Sequence, residues 1–356
     1  MKRPKAFSAA DVRFMGRALA LAERGRGTTQ PNPVVGAVIV RGGRIAGEGF
    51  HRKAGEAHAE VNALADVSGS PRGTTVYVTL EPCDHTGRTG PCTEVLVAAR
   101  PARVVIGCRD PNPIVDGRGI ARLRRAGIRV DVGCLEEESK AAIRAYAVSV
   151  REKRPLVTLK AAATLDGFIA QKTTATRSAR GKRAPIWITS PEARTAAHEL
   201  RAAHDAILVG AGTVRADNPR LTVRDAKRRP VRQPLRVVLA GRRPLPPRAH
   251  VFDGATETLT IEDPRGRVAP ARALELLAAR GVQSVLVEGG ATIAGAFIKA
   301  GLVDRIALFV APKLLGGGVG VSAGGDLPVE RALRLGPISV RPVGPDLLLT
   351  ADVDRS

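Results

Sequence analysis

Glu81-Pro82-Cys83-Asp84-His85-Thr86-Gly87-Arg88-Thr89-Gly90-Pro91-Cys92, read with His58-Ala59-Glu60 upstream, is the stretch that decides the fold. Thr75 to Leu80 alternates like a strand and runs into this loop, and Pro91 at a first helical position opens a helix from Cys92 to Ala99. His58-Ala59-Glu60 opens a second apolar-periodic helix, starting near Glu56 and continuing through Val61, Leu64 and Ala65. A histidine and a cysteine therefore meet at two helix N-termini, where unpaired N–H donors and the positive end of the dipole stabilise thiolates. Zinc suits such a set, because a catalytic zinc takes three protein ligands and keeps a fourth position for water.

On this reading His58, Cys83 and Cys92 hold the metal. Glu60 takes a proton from the water and gives it to a ring and to departing ammonia. His-x-Glu followed by Pro-Cys and a second cysteine is the pattern of zinc-dependent nucleobase deaminases, whose cysteines are two residues apart, whereas here eight residues separate Cys83 from Cys92. His85 is thus an alternative third ligand. Cys92 is preferred because it begins a helix, as the second cysteine of that class does. A structural zinc knuckle would leave Glu60 without a task. Cys108, after an apolar run, and Cys134, before a helix, read as inert small hydrophobes.

Working outward, 356 residues that are 44% hydrophobic suit two domains. Ser8 caps a helix running to Arg24, and Val34 to Val40 reads as a buried strand turned by Gly42-Gly43 into a partner, Arg44 to Phe50. After the metal loop, strand Arg103 to Ile106, helix Gly119 to Ala126, strand Ile128 to Val132 and helix Leu135 to Lys153 complete an alternating α/β layer. The charged segment Arg151-Glu152-Lys153-Arg154-Pro155 sets the boundary, giving domains of residues 1–153 and 154–356. The second domain restarts with a strand from Leu156 to Ala163 and a turn at Asp166-Gly167. A basic, mobile loop over residues 171–185 follows, then helices from Pro191, Ala271 and Ala291 between strands at Ala206, Arg236, Thr258, Ser284 and Arg305. A hairpin ends the chain. Val287-Glu288-Gly289-Gly290-Ala291 is a strand, glycines and a helix, a plausible phosphate cradle without the full dinucleotide spacing.

A net charge of +22 would ordinarily point to nucleic acid, but the arginines are dispersed and aromatic residues make up only 3% of the chain. The stacking platforms of a single-strand binder are missing, and the charge suits anionic, phosphate-bearing ligands instead. Apolar runs fall short of a membrane span, and no apolar region follows the basic N-terminus, so no membrane partner and a cytoplasmic location are expected.

The chain resembles the bifunctional riboflavin-biosynthesis deaminase/reductase family. The resemblance rests on Thr28 to Gly36, Gly47 to His51, Ala54 to Val61, the Pro-Cys loop with its long gap, Asp110-Pro111-Asn112-Pro113 and several stretches of the second half. It implies an α/β protein with a cytidine-deaminase-like three-layer domain followed by a dihydrofolate-reductase-like domain, and it selects Cys92 over His85 as the ligand. The implied activities are zinc-dependent deamination of 2,5-diamino-6-(ribosylamino)-4(3H)-pyrimidinone 5'-phosphate and NADPH-dependent reduction of its ribosyl group to ribityl. Asn32, His51 and His85 would meet the deaminase substrate; Lys160, Arg201, Leu221, Arg224 and Glu288 the reductase substrate. Ala162, Trp187, Thr213, Asp217 and the run Gly290, Ala291, Thr292, Ile293, Ala294, Gly295 and Ala296 would contact NADPH. A homo-oligomer, dimer or tetramer, is expected. Pro185 and Gly241 depart from the family pattern in the reductase half. Rival readings are a zinc deaminase acting on tRNA and a non-enzymatic zinc-stabilised binding module.

Overall fold

The computed structural model describes residues 6–87, 90–172, 187–224, 232–324 and 327–355. Most of the expected 171–185 loop, with Pro185, lies outside them. Its contacts divide into two compact units, Met1–Lys153 and Arg154–Ser356.

The first unit begins with α1 (Ala9–Ala22), whose N-cap Ser8 accepts from the Asp11 N–H while the Asp11 carboxylate accepts from the Ser8 N–H, a capping box. Then come β1 (Gly36–Arg41), β2 (Arg44–Phe50), α2 (Ala59–Ala65), β3 (Thr75–Leu80), α3 (Cys92–Ala99), β4 (Arg103–Cys108), α4 (Arg118–Arg125), β5 (Arg129–Val132), α5 (Glu136–Ala142) and α6 (Arg144–Glu152). The sheet order is β2-β1-β3-β4-β5, with β3, β4 and β5 parallel and β1 antiparallel to both neighbours. Alternation along β1 sends Ala37 and Ile39 into a core with α2, α3 and α4, and Val38 and Val40 into one with α1, which makes three layers.

Two expectations are corrected here. Pro91 is the N-cap of α3, with extended ψ of 132°, not its first helical residue. The expected single helix from Leu135 to Lys153 breaks at Ile143, which has φ −102° and ψ 10° and packs with Leu80, Cys108 and Tyr146 instead of continuing α5.

The second unit contains β6 (Leu156–Thr164), β7 (Phe168–Ala170), α7 (Pro191–Ala202), β8 (Ala206–Gly210), α8 (Ala211–Asp217), β9 (Leu235–Leu239), β10 (Thr258–Ile261), α9 (Pro270–Ala279), β11 (Ser284–Val287), α10 (Ala291–Lys299), β12 (Arg305–Ala311), β13 (Val319–Gly320), β14 (Ser339–Val343) and β15 (Asp346–Asp352). Its eight-stranded sheet runs β10-β9-β8-β11-β6-β12-β15-β14, parallel through β12 and antiparallel in the terminal hairpin. Phe297, Leu274 and Leu277 cover one face, while Ala193 and Ala196 of α7 and Val214 of α8 pack on the other. The strand order reverses where β11 enters between β6 and β8. Open α/β sheets leave a ligand crevice at such a point, outside the carboxyl ends of the strands.

An ion pair closes this unit on itself. Arg154 donates through both Nη atoms to Asp304 at 2.6 and 2.7 Å, and Asp304 also accepts from the Val157 N–H at 2.8 Å. Arg236 in β9 is wholly buried, its guanidinium held by Asp253 and by the carbonyls of His250, Arg220 and Thr256.

Candidate active sites

In the first unit α2 lies directly on the sheet because Gly47 and Gly49 of β2 have no side chains there. A Cβ at Gly49 would stand 2.3 Å from the Ala63 nitrogen and 2.5 Å from the Ala59 oxygen. That close approach carries His58, the N-cap of α2, and Glu60, in its first turn, to the end of the sheet. From the other side β3 delivers Cys83, and Cys92 begins α3.

Three further contacts fix the loop between them. The Asp84 carboxylate accepts from the Thr93 hydroxyl at 2.6 Å and from Arg122 at 2.7 Å, and the Thr93 N–H donates to the Cys83 carbonyl at 3.2 Å. The buried Glu81 carboxylate accepts from the N–H groups of Gly117 and Ile120, at 3.0 and 3.2 Å, and of Asp110 at 3.3 Å, so it caps α4.

Within this frame His58 Nδ1 is 3.2 Å from Cys92 Sγ and 3.6 Å from Cys83 Sγ, and the three ligand atoms all lie within 4.8 Å of one another. A tetrahedral ion with bonds of about 2.0–2.3 Å holds its ligands about 3.3–3.8 Å apart, so the set fits zinc. The electrostatics agree. A hydrogen bond from Cys92, against the cost of burial, holds the Cys83 thiol down at about 4, while the bond to Cys83 and burial push Cys92 upward. The two sulfurs thus share a proton that a divalent cation would displace. Glu60 is buried, and burial together with the Cys83 charge pushes its carboxyl up to about 7.

A cavity of about 290 Å³ opens beside this cluster, lined by Asn32, His51, His58, Glu60, Cys83 and His85. His51 Nδ1 is 3.2 Å from the Ala57 carbonyl and donates to it, so its Nε2 accepts from Asn32 Nδ2 at 3.1 Å. Burial pushes the His51 pKa down, which keeps the ring neutral. Asp110, Asn112 and Tyr146 also line the cavity, with the Tyr146 hydroxyl donating to Asp110 at 3.3 Å. Burial pushes the Asp110 carboxyl up to about 6. Residue-level reading assigned none of these three a role. The only signal was Asp-Pro-Asn-Pro, an ordinary turn pattern.

In the second unit a cavity of about 150 Å³ lies at the carboxyl ends of β6, β8 and β11, lined by Lys160, Ala162, Thr213, Asp217, Glu288, Gly290 and Ala294. The Gly290 N–H donates to the Thr213 hydroxyl at 3.1 Å, and Gly290 is the N-cap of α10. Ala291 and Thr292 are the first two residues of α10, so their N–H groups have no partner within the helix and suit a cradle for a dinucleotide's pyrophosphate.

Arg201 grips Glu288 with two hydrogen bonds, 2.8 and 2.7 Å, and donates to the Thr222 carbonyl at 3.1 Å. Burial opposes ionisation of Glu288, but Arg201 and Lys160 overcome it and hold the carboxyl down at about 2. Burial pushes the Lys160 pKa down. His198, unforeseen from the sequence, accepts the Arg224 N–H on Nδ1 at 3.2 Å.

Other expected residues lie away from this cavity's wall. The Leu221 side chain is buried in the core with Ile207, Val209 and Val214, which leaves only its main chain for a ligand. Trp187 is exposed under the Arg194 guanidinium, 4.7 Å from its ring centre. Within the run after Gly290, Ala294 lines the cavity, Ile293 packs against Gly210 and Gly289, Ala291 and Gly295 are buried, Ala296 is half-buried and Thr292 is exposed. Arg224 and Gly241 are exposed.

Residues 8–108 match the model of the cytidine and deoxycytidylate deaminase zinc-binding region, and residues 155–349 match that of the RibD C-terminal domain. The chain is 38% identical over 358 residues to the riboflavin biosynthesis protein RibD of Aquifex aeolicus, covering 95% of this chain and 97% of that one. It is 44% identical over 341 residues to RibD of Mycobacterium tuberculosis, covering 94% and 95%. Among solved structures, RibD of Acinetobacter baumannii superposes with a TM-score of 0.85 at 36% identity, covering 97% of this chain and 99% of that one. A diaminohydroxyphosphoribosylaminopyrimidine deaminase/5-amino-6-(5-phosphoribosylamino)uracil reductase from Thermotoga maritima gives 0.84 at 36%, over 97% and 99%.

Proposed function

Because this chain belongs to the RibD family of riboflavin-biosynthesis enzymes, we propose that residues 1–153 form its deaminase and residues 154–356 its reductase, with the roles below. The enzyme uses zinc and NADPH in deaminating the diaminopyrimidine ribotide phosphate and reducing its ribosyl group to ribityl. The observation that carries the assignment of the deaminase site is the meeting of His58, Cys83 and Cys92 beside the buried Glu60 carboxylate.

Zinc, when held by these three ligands, supplies Lewis acidity and lowers the pKa of a water. Glu60 would take one proton of the attacking water at its carboxylate and give it to the ring nitrogen, then take the second from the hydroxyl added to the ring carbon and give it to the amine that leaves as ammonia. Asn32 commits its amide nitrogen to His51 and so offers Oδ1 to a substrate N–H. His85 closes the same cavity.

In the reductase NADPH supplies the hydride. Ala162, Thr213, Asp217 and the residues from Gly290 to Ala296 would hold the cofactor, with Trp187 at the margin. Arg201, fixed by Glu288 and Thr222, acts as a stationary positive charge, while Lys160 on the cavity wall and the exposed Arg224 would meet the ribotide phosphate. Glu288 accepts a ribosyl hydroxyl, and Leu221 contributes main chain only.

No helix among the described residues is long and apolar enough to cross a membrane; the four cysteines are free thiols, which a reducing, cytoplasmic setting would preserve. The test follows ammonia release and NADPH oxidation separately. Glu60→Gln is expected to keep zinc, lose ammonia release and still oxidise NADPH with the deaminated ribotide. Retained ammonia release would overturn the assignment of Glu60.

A further inference from the structure

The deaminase reading leaves Asp110, Asn112 and Tyr146 on the cavity wall without a task. β3 and β4 are parallel neighbours with Leu80 beside Cys108, so the chain leaves the sheet at two adjacent points, toward Cys83 from one and toward Asp110 from the other. The Asp110 N–H donates to Glu81 at 3.3 Å, which keeps the two exits together. Tyr146 and Val150, one turn apart on α6, reach the same cavity from the helical layer.

Two buried carboxylates stand side by side here and are held differently. Glu81 accepts on both oxygens, the Ile120 N–H on Oε1 and the Asp110 and Gly117 N–H groups on Oε2. Asp110, only 6% exposed, accepts on Oδ1 alone, from the Asn112 N–H at 2.8 Å and from the Tyr146 hydroxyl at 3.3 Å. Among the described residues its Oδ2 has no hydrogen-bond partner. A buried carboxylate oxygen without a donor is costly, so one left open on a cavity wall suits the donor of a ligand. The Tyr146 ring packs with Leu80, Cys108 and Ile143, a setting phenylalanine would fill equally well; the hydroxyl alone calls for tyrosine, and it goes to Asp110. A single donor leaves a carboxylate free to turn about its Cβ–Cγ bond. Two donors on one oxygen, from a loop and from a helix, fix its plane.

We propose that Tyr146 is a positioning residue of the deaminase: with the Asn112 N–H it holds Oδ1 of Asp110 and so keeps Oδ2 turned to the cavity, where it accepts an N–H or O–H of the ribotide. The proposal rests on the deaminase reading of this cavity.

The test is steady-state ammonia release from the aminopyrimidine ribotide phosphate by the full-length zinc enzyme, in Tyr146→Phe, Asp110→Asn and the double variant. Tyr146→Phe keeps the ring and is expected to retain full zinc and the wild-type thermal midpoint, to raise KM about 5- to 15-fold and to leave kcat within about threefold. Asp110→Asn should raise KM about 10- to 100-fold, and the double variant should be no worse than Asp110→Asn alone, because the hydroxyl acts through that carboxylate. A KM for Tyr146→Phe within about twofold of wild type would overturn the proposal with the deaminase reading intact, as would a double variant whose KM rises by the product of the two single effects. If wild type releases no ammonia from the ribotide, the deaminase reading fails and takes the proposal with it.

Discussion

Replacing Gly49 with alanine tests whether the deaminase is built on the direct seating of α2 on the sheet. The new Cβ would lie 2.3 Å from the Ala63 nitrogen and 2.5 Å from the Ala59 oxygen, where ordinary contact begins near 3.4 Å. Both obstacles are backbone, so the helix itself must retreat by about 1 Å. Overpacking of this kind costs about 1–3 kcal/mol, a drop a two-unit protein survives. Catalysis should suffer more, since Glu60 lies one residue beyond Ala59 on the displaced helix, and about 1 Å of misplacement can cost on the order of 10²-fold in rate. The measurement is kcat for ammonia release with zinc content determined on the same sample, and NADPH oxidation in the other unit as the internal control. If kcat stays within about threefold of wild type at full zinc occupancy, the glycine does not set the position of Glu60 and the reasoning is wrong.

Other perturbations separate the remaining contacts. Removing zinc with a chelator should abolish ammonia release and leave NADPH oxidation intact, with zinc restoring the first. Asp304→Ala strips two buried Arg154 hydrogen bonds and the Val157 N–H of their acceptor, so calorimetry should show the 154–356 unit losing about 3–5 kcal/mol. His204, held by the Leu200 carbonyl and the Thr158 hydroxyl, has its pKa pushed below the usual 6.5 by burial. The unfolded chain then binds the proton first, and stability should fall as pH drops below about 6.5; His204→Gln should flatten that slope in pH-dependent denaturation. For Glu288, held down at about 2 against an ordinary 4.5, the stabilisation is present above 4.5 and fades as pH falls toward 2, so Glu288→Gln should remove that acid limb and raise KM for the ribotide.

What the residues announced by themselves was local. The strand Thr75–Leu80, the Gly42-Gly43 hairpin and the spacing of His58 and Glu60 from Cys83 are short-range patterns, and a period or a turn residue suffices to read them. Tyr146 was invisible because it reaches the deaminase cavity only once α5 and α6 part at Ile143, and that break answers to packing against Leu80 and Cys108, not to any helix-breaking residue. Arg236, the start of an expected strand, shows the same limit from the opposite side. A charged residue in a short strand reads as solvent-facing, yet it is wholly buried because Asp253 and three carbonyls from distant loops close around its guanidinium. In the reductase, the strand-glycine-helix turn was legible, whereas the grip of Arg201 on Glu288 joins residues 87 positions apart and needed the fold.

Glu81 has a consequence for how the metal leaves. Its one carboxylate receives N–H groups from the start of α4 and from Asp110, and it stands two residues before Cys83. The strand end that leads into Cys83 is therefore latched to the first turn of a helix. Any outward movement of Cys83 that drags Glu81 with it would break these bonds and loosen the first turn of α4. The off-rate of zinc should then follow the opening of that helix, slowing when α4 is stabilised far from any ligand, so the lifetime of the catalytic ion is written in a helix that never touches it.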